Sequence, residues 1–277
     1  MEMPTTGTMA ALALDAQLPF DAQSEPYEML GENLRLLQTH RHTSGIRGRR
    51  ARHHTRVCVE RRRVAGSIRM QPSADELDRL LPRILGAVPQ AGEYHPAETL
   101  PEFHALIDRG PARFTYAGCK VARAVFRAAA GGPLALELVV EGRQEIVGDG
   151  AGNDLVFPAL PLEEGTPYGL SDATLRLQAA ERELLSFELV IDNVLAVGRY
   201  VGSPWRASLP ATDRLVTLTV ELPYTPDEAD LYEPDIVGAA GSLRFATEDR
   251  WLEFTLANLK SLAESPRPPA RRTRGCA

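Results

Sequence analysis

The chain has 277 residues, 44% of them apolar and 25% charged, which is enough to bury a substantial core in one large or two small domains and excludes disorder of the whole. Its net charge of −6 averages over unlike parts. Residues 40–69 hold ten arginines against the single acid Glu60 (+9), the stretch from Pro266 adds four arginines (+4), residues 1–39 sum to −5, and the body at 70–265 is left with −14.

The cysteines Cys58, Cys119 and Cys276 are odd in number, at spacings that suit neither a zinc ribbon nor a disulfide framework, so a reducing compartment is expected. The apolar stretch 9–14 has Glu2 where a secretory signal carries basic residues, and Asp15 interrupts it, so no signal peptide is expected. No uncharged apolar run approaches the roughly 20 residues of a membrane helix.

Along the chain, residues 1–39 read as an N-terminal arm spaced by Pro4, Pro19 and Pro26, with a short helix over 27–38 that lacks a clean apolar stripe. From residue 40 to 262 the dominant period is two. Phe103, Ala105 and Ile107 alternate with polar neighbours; so do Leu134, Leu136, Leu138 and Val140; Leu185, Phe187, Leu189 and Ile191; and Val216, Leu218, Val220 and Leu222. Such alternation predicts half-buried antiparallel strands. Further strands are expected at 56–59, 63–69, 113–116, 121–127, 173–177, 242–246 and 251–256. The fold class is therefore mainly β: an antiparallel sandwich or barrel of about ten or more strands.

One helix is expected over 74–85. Ser73 with Glu76 forms a capping box, Leu77, Leu80, Leu81 and Ile84 share a face, and Gly86 closes it. Pro82 should kink that helix or split off its last turn. A second helical turn is expected at 227–232. Residues 263–277 are rich in Pro and Arg with little to bury, and read as a disordered or extended tail.

Catalytic motifs are absent: there is no nucleophile elbow, no zinc-protease helix and no phosphate-binding loop. His40, His42, His53, His54 and Cys58 carry metal-ligand chemistry, but the arginines among them oppose entry of a cation. The segment 148–154 lacks the spacing of a dinucleotide or calcium loop and reads as a connection between strands. The basic band over 41–69 has two readings. It binds nucleic acid through phosphate contacts, although no Phe, Tyr or Trp occurs between Tyr27 and Tyr94 to stack bases; or it docks on the acidic body of another copy, the reading favoured here. On the strand faces opposite the apolar set lie Glu137, Glu141, Glu188, Asp192 and Glu221, with no Lys or Arg on the same faces of those strands. A one-sign sheet face suits a conduit for a polyanion, since it offers phosphates no cation to bind.

Several segments resemble the tail tube proteins of long-tailed, non-contractile bacteriophages. They include Val64-Ala65-Gly66-Ser67-Ile68, Gln71-Pro72-Ser73-Ala74-Asp75-Glu76-Leu77, Leu81-Pro82-Arg83-Ile84-Leu85-Gly86 and Phe103-His104-Ala105-Leu106-Ile107-Asp108-Arg109. Ser186-Phe187-Glu188-Leu189-Val190-Ile191-Asp192-Asn193 and Arg214-Leu215-Val216-Thr217-Leu218-Thr219-Val220 continue the match in order along the chain. The resemblance implies a β-sandwich with a flanking helix, hexameric rings whose inner sheets join around a lumen, and rings stacked into a tube. Such a tube houses the tape measure protein and later conducts phage DNA into the host. Tail terminator and distal tail proteins stand at its ends, in a virion tail assembled in the host cytoplasm. It carries over no catalytic residue, metal or cofactor. On this reading Glu137, Glu141, Glu188, Asp192 and Glu221 face the lumen or a subunit interface. Arg47, Arg49, Arg50, Arg52, Arg61, Arg62, Arg63, Asp149 and Asp154 make subunit or ring contacts. The alternatives are a nucleic-acid-binding β protein using the 41–69 band, or a related tail component such as a tail terminator or distal tail protein.

Overall fold

A computed structural model of the chain describes residues 10–42, 57–148, 162, 165–178, 180–223 and 237–260. Within these residues the strands are β1 (Ala11–Asp15), β2 (Glu25–Tyr27), β3 (Gly31–Glu32), β4 (Arg35–His42), β5 (Val57–Met70), β6 (Phe103–Asp108), β7 (Arg113–Ala129), β8 (Ala135–Gly142), β9 (Gln144–Val147), β10 (Ala173–Leu177), β11 (Ala180–Arg182), β12 (Ser186–Leu195), β13 (Ala211–Glu221), β14 (Val237–Ala246) and β15 (Trp251–Lys260). One helix, α1 (Ala74–Leu85), follows β5. Eleven strands form one sheet and four, in the order β11-β10-β14-β15, form a second.

The 17-residue β7 joins two limbs of the large sheet. Its first half pairs with β6 and β9, its second half with β8 and β12. The change falls at Gly118, where φ is +62° and a Cβ would come within 2.7 Å of the Arg143 side chain. Only glycine meets both conditions without strain. The first limb runs β2-β1-β6-β7-β9; the second runs β13-β12-β7-β8-β5, with β3 and β4 both on the far side of β5.

Alternation then decides the core. On one face of the second limb lie Phe187, Leu189 and Ile191 of β12, Ala124 and Phe126 of β7, Leu136, Leu138 and Val140 of β8, and Val64, Ile68 and Met70 of β5, all buried. Two layers cover this face. One is α1, through Leu77, Leu80, Leu81 and Ile84. The other is the four-stranded sheet, whose Phe245 meets Phe187 at 5.5 Å and whose Phe254 meets Phe126 at 5.2 Å between ring centroids. Each such ring removes a large apolar area from water, and tilted aromatic pairs of this kind add further stabilisation.

The polar ends of α1 are satisfied locally. Glu76 N–H donates to Ser73 Oγ and Ser73 N–H to Glu76 Oε2, so the expected capping box is present. Pro82 does not break the helix. The Asp78 carbonyl, which Pro82 cannot bond, accepts from Tyr94 Oη at 3.2 Å instead. Gly86, with φ +91°, turns the chain and donates to the Pro82 carbonyl. Arg250, in the β14–β15 turn, reaches Asp75 and Asp78 in the first turns of the helix.

Several expectations are corrected. Residues 10–39 are not an arm: β1 lies inside the first limb between β2 and β6, and Leu12, Leu14, Tyr27 and Leu34 are core residues. The helix expected over 27–38 is absent; β3 and β4 occupy that stretch. Its extended form is locked by Arg109, which grips Glu32 through two 2.8 Å hydrogen bonds and donates to the Leu34 carbonyl. The separate strands expected at 56–59 and 63–69 are one strand, β5, and those at 113–116 and 121–127 are one strand, β7. The expected turn at 227–232 and the tail at 263–277 lie outside the described residues.

Candidate functional site

The opposite face of the second limb is covered by neither α1 nor the four-stranded sheet. Register places the five candidate acids around it. On β12, Glu188 stands opposite Arg127 and Asp192 opposite Arg123 of β7. On β8, Glu137 stands opposite Val125 and Glu141 opposite Lys120 of β7. Glu221 of β13 faces Ser186 and accepts from its hydroxyl at 2.9 Å.

The acids share a face as expected, but that face is not of one sign. β8, β12 and β13 carry the acids, whereas β7 and β5 stand between and beside them and contribute arginines. Arg127 Nε donates to Glu188 Oε2 at 2.6 Å, and its Nη1 lies 3.7 Å from Glu137 Oε2. Arg123 donates through Nη2 and Nε to Asp192 Oδ2, at 2.6 and 3.0 Å. Glu141 receives Arg63 at 3.5 Å and Arg206 at 2.6 Å. The face is a ladder of cross-strand ion pairs with exposed guanidinium groups. Arg123 and Arg127 are 51% and 52% exposed, so each pair adds only about 0–1 kcal/mol of stability.

One end of this face is crossed by the β12–β13 connection, residues 196–210. Arg206, buried at its side chain, holds the connection to Glu141. Beside it Arg62 N–H donates to the Pro204 carbonyl, Arg62 lies over the Trp205 ring at 5.2 Å, and Arg61 lies over Tyr200 at 5.5 Å. The aromatics missing from the basic band in sequence thus arrive from a segment some 140 residues away, and they are met by arginines of the same chain. Of the candidate contact residues, Arg61, Arg62 and Arg63 are engaged internally. Arg47, Arg49, Arg50, Arg52, Asp149 and Asp154 lie outside the described residues.

Sequence reasoning missed a polar network beneath this limb. Asn193, fully buried on β12, donates through Nδ2 to the Ile84 carbonyl at 2.9 Å and the Val121 carbonyl at 3.3 Å. Its Oδ1 accepts from Arg214 Nε at 2.7 Å, and Arg214 Nη2 donates to the carbonyls of Leu85 and Ala97. The last carbonyls of α1 are therefore capped by the β12–β13 hairpin, which fixes helix to sheet. Burial lowers the pKa of Arg214 and, at the bend, that of His104, whose Nδ1 accepts the Gly118 N–H at 3.3 Å. A buried Asn at an apolar position of an alternating strand was the available signal.

The other titratable candidates show no chemical convergence. Cys58 is exposed on β5 and Cys119 is buried, where desolvation pushes its thiol pKa up. Among the described residues no group of three or more His, Cys, Asp or Glu side chains is placed to hold a metal, and no helix is long and apolar enough to cross a membrane.

Both borders of the second limb are open among the described residues. β13 pairs with β12 alone, and β3 and β4 with β5 alone. β13 leaves Leu215 57% and Val216 48% exposed, on opposite faces. Beyond the reach of β8, residues 57–63 of β5 pair with β4 and otherwise bridge only from Arg62 to Trp205. A search of the curated proteins finds no match. Residues 46–267 match the family model for phage tail tube proteins, and with most of its length covered, this predominantly antiparallel β chain belongs to that family.

Proposed function

We propose that copies of this chain form hexameric rings that stack into the tube of a phage tail. The open face of the second limb lines the bore, and α1 and the four-stranded sheet lie outside it. The tube encloses a tape measure protein during assembly in the host cytoplasm and later conducts DNA into the host; tail terminator and distal tail proteins close its ends. The protein's role is structural rather than catalytic. The observation that carries this reading is the pair of open borders. A strand edge such as β13, with exposed Leu215 and Val216, is an aggregation hazard in a monomer, and joining β13 of one copy to the β3–β4 border of the next removes both edges at once.

On this reading Glu137, Glu141, Glu188, Asp192 and Glu221 face the bore or its seams. Arg47, Arg49, Arg50, Arg52, Asp149 and Asp154 make contacts between subunits or rings. Arg61, Arg62 and Arg63 support the base of the β4–β5 ribbon that carries the basic band. Negative-stain microscopy of the purified protein tests the reading. Rings or tubes of uniform bore are expected; a persistent monomer that binds DNA tightly at low salt would replace this function with nucleic-acid binding by the 41–69 band.

A further inference from the structure

We infer that the acids of the open face act as masks over its arginines, so that Glu188, Glu137 and Asp192 keep Arg127 and Arg123 from gripping the phosphates of passing DNA. The inference rests on the bore reading above and deepens it. A bare acidic lining would repel a polyanion without any cation on the face. Here two guanidinium groups sit at the middle strand of the face, about half exposed, where a phosphate could take a bidentate pair of hydrogen bonds from each.

Both are already occupied. Asp192 accepts two N–H groups of Arg123 on one carboxylate oxygen. Arg127 is flanked by a carboxylate on each neighbouring strand, Glu188 on β12 and Glu137 on β8. Arg63 and Arg206 meet on the single carboxylate of Glu141. Exposed pairs of this kind give little stability, so stability alone is a weak reason for an alternating ladder across three strands. Its electrostatic effect is larger: the carboxylates beside Arg123 and Arg127 cancel two fixed positive charges at short range.

Removing the acids while keeping shape should convert the face from a sliding surface into a phosphate-binding one. The triple variant Glu137→Gln, Glu188→Gln, Asp192→Asn frees two arginines. In the full-length protein kept dilute and unassembled, binding of a fluorescein-labelled duplex DNA is followed by anisotropy across a salt series. The basic band contributes equally to wild type and variant and drops out of the difference. The variant is expected to bind at least about tenfold more tightly at low salt. Its slope of log K against log salt should be steeper by about 1.8, the value for two further phosphate contacts. Adding Arg123→Gln and Arg127→Gln to the triple variant should abolish the gain.

An unchanged affinity and slope in the triple variant, with native circular dichroism, would overturn the masking, as would a gain that survives loss of both arginines. Microscopy of the same preparations after concentration separates the two levels. Tubes without a gain in DNA binding contradict the masks alone; a gain without rings or tubes contradicts the bore.

Discussion

The two faces of the second limb are made by the same strands and obey opposite rules. On the covered face each side chain is specified by packing: Phe126 and Phe187 meet rings from the four-stranded sheet, and Asn193 meets carbonyls at the end of α1. On the open face the charges of β7 and β12 are set by their neighbours across the ladder, and Arg123 and Arg127 stay about half exposed. One face holds the molecule together; the other is free to vary in chemistry without unfolding it.

That contrast can be broken most severely from the covered side. Phe126→Ala removes a fully buried ring next to Phe254 and is expected to cost about 3–5 kcal/mol in a denaturant melt, with a lowered transition midpoint. Asn193→Ala should cost about 2–3 kcal/mol. It leaves the Ile84 carbonyl without a donor and the half-buried Arg214 without one of its three acceptors, and hydrogen exchange should rise at the end of α1 relative to the core of β8. On the open side, Glu188→Gln should shift stability by less than about 1 kcal/mol, because Arg127 is half exposed and keeps Glu137 nearby. A cost near that of Asn193→Ala would mean that the ladder is structural and erase the distinction between the faces.

Much of the covered face was legible in the sequence, because β8 and β12 alternate cleanly and α1 announces both its ends. What escaped notice did so for physical reasons. β1 reads as an apolar stretch without contrast, since Leu12 and Leu14 are buried on one side and Ala13 with Phe20 and Leu106 on the other, and its partner β6 lies some 90 residues away. β7 reads as two strands because the Gly118 bend breaks the apolar period while the backbone continues from one limb to the other. The charge pattern of the open face is hidden in the sequence for a related reason. Period two assigns residues to faces within one strand, but which strands lie side by side is decided by topology, and β7 carries Arg123 and Arg127 between the acids of β8 and β12. The sequence-distant Trp205 and Tyr200 beside Arg62 and Arg61 are a second case of the same limit.

In the proposed tube the charge-paired face looks into the bore. A helical reconstruction of the purified protein's tubes by electron cryomicroscopy tests it most directly. Glu188, Asp192, Arg123 and Arg127 are expected on the inner wall, β13 joined to the β3–β4 border of the adjacent copy, and α1 on the outside; α1 or the four-stranded sheet lining the lumen would overturn this arrangement.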